Sequence, residues 1–170
     1  MRETSQPAAH GPDQHKPYLR TVLDNVAEVY EAHLGRHDAE LFMAESAYAL
    51  AADHSANAVR SARPDRPTMA HVAREVDAAI ARLDEPIMIA DASDRQMTLI
   101  SPSPSGARSR FMMNLYLFGH IAADALGYAR VVLHESAPGS GKPWKIVIHT
   151  APGGGGAEFH SRYRLPDQSH

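Results

Sequence analysis

The chain has 170 residues, a formal net charge of −3 at pH 7 and no cysteine. Its length fits one domain, and the missing thiols exclude disulfides, thiolate metal sites and cysteine nucleophiles. The chain lacks the basic excess of a nucleic-acid-binding domain, so we expect no nucleic acid among its partners. Residues 1–16 are polar, without the apolar core of a secretory signal, and no stretch approaches the about 20 apolar residues of a membrane span. We therefore expect a cytoplasmic protein that does not enter a membrane.

Apolar residues recur at helical spacing in three successive segments of the N-terminal half. The first covers residues 18–34 and stops at Gly35, a residue type that commonly ends helices. The second runs from Asp38 to about Val59 and is rich in alanine, the best helix former. The third follows Thr68, a suitable N-cap, and extends to Leu83. The sequence therefore predicts three helices before the pattern changes.

After the third helix, short apolar stretches replace the helical spacing. These stretches predict two hairpins, Pro86–Ala90 with Gln96–Ile100 and Ala129–Ser136 with Trp144–Thr150. Between the hairpins, residues 109–126 return to helical spacing and end at Gly127. The order is thus three helices, a hairpin, a fourth helix and a second hairpin.

This order predicts an α+β fold, with N-terminal helices and a mostly antiparallel sheet of about four strands that has a helix packed on it. Residues 17–150 form the predicted domain. Residues 1–16 are expected to be a disordered N-terminal tail. Residues 151–170 include a run of four glycines at 153–156. We expect them to be a flexible C-terminal tail, because glycine loses much backbone entropy on ordering.

Several short motifs follow one another between residues 101 and 150. They are Ser103-Pro104-Ser105-Gly106, Phe111-Met112-Met113, Leu117-Phe118-Gly119-His120-Ile121-Ala122-Ala123, Leu126-Gly127-Tyr128-Ala129-Arg130-Val131 and Gly141-Lys142-Pro143-Trp144-Lys145-Ile146-Val147-Ile148. This segment resembles the methanogen output domain family, and the preceding elements extend the resemblance to about residues 17–150. A looser similarity connects the chain to the vinyl-reductase-type ligand-binding domains. The resemblance implies a signal output or sensory domain.

Three positions depart from the pattern of that family. The family has cysteines where this chain has Ser103, Phe111 and Trp144. Thiolates there would suit a metal, an iron–sulfur cluster or redox chemistry, whereas these side chains do not, so we expect no cofactor. We interpret the three positions, together with Phe118, as a remnant site or ligand pocket. Phe111 and Trp144 are then expected to touch or to line one pocket, with Ser103 close by.

Three histidines are weak candidates for a metal site. His134 and His149 lie on the two strands of the second predicted hairpin. With a turn centred near Ser140, His134 faces Val147 and Val132 faces His149, so the two histidines become diagonal neighbours on one face of the sheet. His120 of the fourth helix could approach that face, and imidazoles bind Zn²⁺. The alternative is that these histidines face solvent, and we predict no metal.

The sequence leaves three hypotheses for function. The first is a non-catalytic signalling or ligand-responsive output module that has lost the cysteine site of its family. The second is a small-molecule enzyme with a pocket between the fourth helix and the sheet, and the third is a structural partner of a cysteine-bearing relative. Under the first hypothesis we expect a homodimer formed through the two N-terminal helices. A small molecule or a signalling protein is the candidate further partner.

Overall fold

The structure is a computed structural model that describes residues 16–60, 67–102, 107–137 and 139–163. Within these ranges the chain forms four helices and one five-stranded antiparallel sheet, which confirms the predicted α+β class. The helices cover one face of the sheet and leave the other face open. In the same ranges, no helix is long and apolar enough to cross a membrane.

The first three helices follow the apolar spacing of the sequence. They are α1 (Lys16–Leu34), α2 (Arg36–Arg60) and α3 (Met69–Leu83). Gly35 separates α1 from α2 with a φ of 83°, a conformation that glycine adopts at little cost. Thr68 caps α3 as predicted, because its Oγ1 accepts a hydrogen bond from the backbone N–H of His71 at 3.4 Å.

The sheet contains both predicted hairpins and one further strand. Its strands are β1 (Met88–Ala92), β2 (Gln96–Ser101), β3 (Tyr128–His134), β4 (Trp144–His149) and β5 (Ala157–His160). They lie in the order β1-β2-β4-β3-β5, and every neighbouring pair is antiparallel. Alternate residues of the inner strands point toward the helices and form the sheet's part of the core. These residues are Met97, Leu99, Ala129, Val131, Ile146 and Ile148.

The fourth helix, α4 (Arg108–Leu126), connects β2 to β3 and lies between the sheet and the other helices. Most of its residues are buried, and they surround the helix instead of forming a single stripe. The helix ends at Gly127 as predicted, where the backbone N–H of Gly127 donates to the carbonyl of Ala123 at 2.7 Å. The central position of α4 explains why polar contacts from many parts of the chain converge on it.

The C-terminal segment differs from the prediction. The sequence predicts a flexible tail from residue 151, but Ala157–His160 form β5, which pairs with β3 at one edge of the sheet. The sheet therefore has five strands instead of about four. Gly155 and Gly156 have positive φ angles of 78° and 96°, which place them in the turn that leads into β5. The glycine run thus supplies a turn where the prediction expects disorder.

Two glycines make the space that β5 occupies. A Cβ atom built at Gly119 of α4 would lie 2.5 Å from the ring of Phe159, which is buried under the helix. A Cβ atom at Gly156 would lie 2.4 Å from the carbonyl oxygen of Val131. Real Cβ atoms do not approach this closely, so each position needs glycine for β5 to reach its place.

The register of the second hairpin also differs from the prediction. The prediction pairs His134 with Val147, whereas the structure pairs His134 with Lys145. The backbone N–H of Ser140 donates to the carbonyl of Ala137 at 3.1 Å, which closes the turn earlier in the chain than the prediction assumes. Because the pairing shifts by two residues, every side chain stays on its predicted face of the sheet but meets a different partner.

Candidate functional site

The predicted remnant site lies where the first turn of α4 meets the start of β4. The rings of Phe111 and Trp144 touch edge to face, with their centroids 5.1 Å apart and their planes at 82°. Both side chains are buried, and Phe118 further along α4 is completely buried. Ser103 lies outside the described residues. The predicted contact between Phe111 and Trp144 is therefore present, and both side chains belong to the core.

This contact fills the space that a pocket would need. Edge-to-face aromatic pairs contribute about 0.5–1.5 kcal/mol beyond the area that they bury. The indole Nε1 of Trp144 is buried without a hydrogen-bond partner, so packing and not polar bonding holds the ring. The enzyme hypothesis needs an open pocket between α4 and the sheet, and at this end of α4 that space contains Phe111 and Trp144.

Two arginines at the start of α4 form ion pairs with carboxylates from other elements. Arg108 donates to Glu135 at 3.1 and 2.7 Å and also pairs with Glu40 of α2. Burial lowers the pKa of Arg108, but its hydrogen bonds to Glu135 and Glu40 outweigh burial and raise the pKa above its usual value. Arg110 is buried and pairs with Glu85, which lies between α3 and β1. These bonds fix the start of α4 against three other parts of the fold.

The N-terminus of α4 is occupied by a carboxylate of the same chain. Ala107, the N-cap residue, provides no side-chain hydrogen bond. Instead, Glu31 of α1 accepts the backbone N–H of Ser109 at 2.7 Å. A negative charge at this position is favourable because the helix dipole is positive there. The protein thus fills with its own side chain the place where an external anion would otherwise bind.

A second polar cluster lies at the other end of α4, around the fully buried Asp124. Ser55 of α2 donates its hydroxyl to Asp124 at 2.9 Å. Arg162 donates its backbone N–H at 3.1 Å and its Nε at 3.0 Å to the same carboxylate. Its guanidinium also lies 4.7 Å from the ring centroid of Tyr48. The cluster ties α2, α4 and the residues after β5 to one another.

The charge of Asp124 stabilises the charged form of its partner. Burial lowers the pKa of Arg162, but the hydrogen bonds and the negative charge of Asp124 outweigh burial and raise it. Arg162 is therefore a permanent cation beside a buried carboxylate. Removal of either partner would leave the other without its counter-charge.

The three candidate histidines do not converge. His134 and His149 lie on the open face, but His149 pairs with Arg130, four residues from His134. Their Cα atoms are therefore about 14 Å apart, at about 3.4 Å per residue. His120 lies on the covered side of the sheet, with its ring centroid 5.2 Å from that of Tyr48 and 4.9 Å from that of Phe159. The predicted approach of the three imidazoles is therefore wrong. Across the described ranges, no group of three His, Asp or Glu side chains could hold a metal ion.

Two of these histidines have shifted protonation equilibria. Burial lowers the pKa of His120, the charge of Arg162 lowers it further, and Asp124 raises it only in part. Burial likewise lowers the pKa of His149, and the charges of Arg130 and His134 act in the same direction. Both imidazoles therefore favour the neutral form more strongly than a free histidine does.

The open face of the sheet carries two adjoining grooves near the loop that joins β3 to β4. The first has a volume of ≈ 680 Å³ and includes His134 and Lys145 in its wall. The second has a volume of ≈ 310 Å³ and includes the apolar side chains of Met88 and Ile100. The residues common to both walls are Lys142 and Pro143. One groove is therefore basic and the other apolar, and they meet at Lys142.

The outer surface of the α1–α2 hairpin exposes large apolar side chains. Val29, Leu34 and Leu41 are 55%, 50% and 54% exposed, and Phe42 is also exposed. The ring of Phe42 stacks on Tyr30, with a centroid distance of 4.4 Å. We refer to Val29, Leu34, Leu41 and Phe42 as the hairpin patch. Exposed apolar side chains that form a patch commonly mark interaction surfaces, so this face of α1 and α2 is a candidate for one.

Comparisons with known proteins leave this site without an assigned role. No protein-family model matches the chain, and no curated protein is significantly similar to it in sequence. The resemblance to the methanogen output domain family therefore stays a prediction that rests on the motifs between residues 101 and 150.

Proposed function

We propose that this protein is a non-catalytic, ligand-responsive signalling module that acts by self-association through α1 and α2. The observation that carries the proposal is the hairpin patch, because four large apolar side chains on α1 and α2 are left exposed to solvent. Burial of such side chains contributes about 25 cal/mol per Å² of apolar surface, which favours association. The partner is a second copy of the chain.

The packing of α1 supports this choice of interface. Among the α1 side chains that the structure describes, only Ala27 is fully buried. Val22, Leu23 and Val26 are half-buried although they belong to the apolar stripe of the helix. A helix of 19 residues is about 28 Å long, enough to contribute much of the about 800 Å² per partner of a standard interface. A two-fold axis would place the hairpin patch of one copy against that of the other.

The filled aromatic contact supports the non-catalytic part of the proposal. Phe111 and Trp144 hold α4 against β4 with apolar bulk at the position where the resemblance implies thiols. A site occupied in this way serves as a packed scaffold, because close-packed side chains transmit small shifts between neighbouring elements. Ligand response then requires binding elsewhere on the molecule.

Light scattering after size-exclusion chromatography tests the proposed assembly. We expect the wild-type chain to be a dimer at tens of micromolar. A standard-sized interface with a dissociation constant of about micromolar or lower stays associated at that concentration. Leu41→Glu places a charge in the hairpin patch and is expected to give a monomer. The matched control is Leu50→Glu, which changes a 41% exposed leucine of the same helix. Leu50 lies nine residues further on, about half a turn around α2 from Leu41.

The two variants separate association from folding. Far-UV circular dichroism should show the same helical content for the wild type and both variants, since both leucines are substantially exposed. A wild-type monomer at tens of micromolar would contradict the proposal. A dimer that survives Leu41→Glu but dissociates with Leu50→Glu would place the interface on another face of α2.

A further inference from the structure

One row of side chains crosses the open face of the sheet at right angles to the strands. His134 lies opposite Lys145, Lys145 lies opposite Ile100, and Ile100 lies opposite Met88. With neighbouring strands about 4.8 Å apart, the row is about 14 Å long. One half of it presents an imidazole and an ammonium group, and the other half presents two apolar side chains. These halves line the basic and the apolar groove respectively.

The lysines at the basic end have no carboxylate partner in the part of the chain that the structure describes. The chain contains three lysines, Lys16, Lys142 and Lys145. Within the ranges that the structure describes, neither Lys142 nor Lys145 forms an ion pair, whereas the arginines around α4 all do. Glu135, a carboxylate of the groove wall, is already bonded to Arg108. Two exposed ammonium groups thus border a groove whose own carboxylate is engaged elsewhere.

We infer that the open face binds a small amphipathic acid, with its anionic head beside Lys142, Lys145 and His134 and its apolar tail over Ile100 and Met88. Ammonium groups form strong charge-assisted hydrogen bonds with a carboxylate or phosphate oxygen. The tail would cover Met88, whose side chain is 61% exposed, and remove apolar surface from water. The inference rests on the proposed function, to which it adds the class of ligand.

The combination of the two grooves selects the ligand class. An inorganic anion would engage the lysines but leave the apolar groove in water. A neutral apolar molecule would cover Ile100 and Met88 but gain nothing from Lys142 and Lys145. Only a molecule with both parts uses the full row from His134 to Met88. High affinity should therefore require the acid group and the apolar tail in the same molecule.

Isothermal titration calorimetry with three probes tests this requirement. Octanoate carries both parts, acetate carries only the head, and 1-octanol carries only the tail. We expect octanoate to bind at least about tenfold more tightly than either of the other probes, a difference that calorimetry resolves. Equal binding of octanoate and acetate, or no binding of octanoate, would overturn the inference.

Variants locate the site on the open face. Lys145→Ala is expected to weaken octanoate binding about tenfold, while Lys145→Arg retains most of it because the charge remains. Met88→Ser should weaken octanoate binding without changing the response to acetate. Arg74→Ala is the matched control, because Arg74 is an exposed cation of α3, on the covered side of the sheet. An equal loss for Arg74→Ala would mean that general charge, and not this groove, attracts the acid.

A vesicle experiment separates a free acid from a membrane surface. We expect no retention of the protein on vesicles of phosphatidylcholine and phosphatidylglycerol, because the groove fits single molecules. Strong retention on those vesicles without octanoate binding would overturn the inference. Loss of octanoate binding together with an intact dimer would reject this inference alone, whereas a wild-type monomer that binds octanoate would reject only the proposed assembly.

Discussion

The helices α1 and α4 have the same length, 19 residues each, but opposite surroundings. Helix α4 is buried on almost every side, and the charged residues Arg110 and Asp124 at its two ends are paired with groups from other elements. Helix α1 has one fully buried residue among its described side chains, Ala27, and leaves Val29 in solvent. The two helices thus represent the centre and the periphery of the same domain.

This difference separates residues that hold the fold from residues that are free to serve association. A substitution around α4 removes several packed or hydrogen-bonded neighbours at once, so its main effect should be on the free energy of unfolding. A substitution on the outer face of α1 removes little within one chain, so it should change association and not folding. Three predictions test this division, in order of decreasing effect.

The largest effect is expected for Trp144→Ala, which removes the aromatic contact between α4 and β4. Because the indole is packed against Phe111 in a filled core, the substitution should lower the free energy of unfolding by about 3–5 kcal/mol. Tyr18→Ala on α1 is the control, since Tyr18 is 70% exposed and its loss should cost less than about 0.5 kcal/mol. Urea denaturation followed by far-UV circular dichroism measures both. A small loss for Trp144→Ala would instead indicate that the indole lines a pocket.

An intermediate effect is expected for Asp124→Asn. The asparagine amide has nearly the same shape but lacks the negative charge to which Arg162 and Ser55 donate hydrogen bonds. The free energy of unfolding should therefore fall by about 1–3 kcal/mol. Glu28→Gln is the matched change on α1, where the side chain is exposed, and its cost should stay below about 1 kcal/mol. Equal costs in the same denaturation assay would show that burial of Asp124 does not make its bonds stronger.

The smallest effect concerns pH. Burial lowers the pKa of His120 in the folded chain, whereas the unfolded chain has the usual pKa of about 6.5 at this residue. Below about pH 6.5 the unfolded state therefore binds more protons than the folded state. The free energy of unfolding falls as the pH decreases through this range, until the pH reaches the lowered pKa of the folded state. His120→Gln should reduce this slope by less than about 1.4 kcal/mol per pH unit.

His33→Gln, at an exposed position of α1, provides the comparison for that slope. Thermal unfolding between pH 5 and pH 7 measures it for the wild type and both variants. If His33→Gln flattened the curve as much as His120→Gln, the environment of His120 would not be the source of the pH dependence.

Local patterns in the sequence predict most of the fold. Gly35, Thr68 and Gly127 mark helix ends because each position needs a particular backbone angle or a capping side chain. The two hairpins follow from the alternation of apolar residues, which depends only on near neighbours. The family resemblance, and not local spacing, predicts the contact of Phe111 with Trp144.

The features that escaped prediction depend on residues far apart in the sequence. Strand β5 needs Gly119 to admit Phe159, and neither residue alone indicates a strand. The buried pairing of Arg110 with Glu85 places an arginine in the core, although arginine side chains are mostly exposed in folded proteins. The grooves of the open face likewise arise from the way the loop between β3 and β4 lies beside β2. Sequence spacing along one strand contains no information on such contacts.

The position of Arg162 has a consequence for the order in which the protein forms during synthesis. Asp124 is fully buried in the finished domain, and its cationic partner is 38 residues later in the chain. While the chain is being translated, helix α4 leaves the ribosome before Arg162, so the carboxylate has no counter-charge and favours a hydrated, open arrangement. We therefore expect the domain to close fully around α4 only after β5 and Arg162 have emerged, because Arg162 supplies the counter-charge of Asp124.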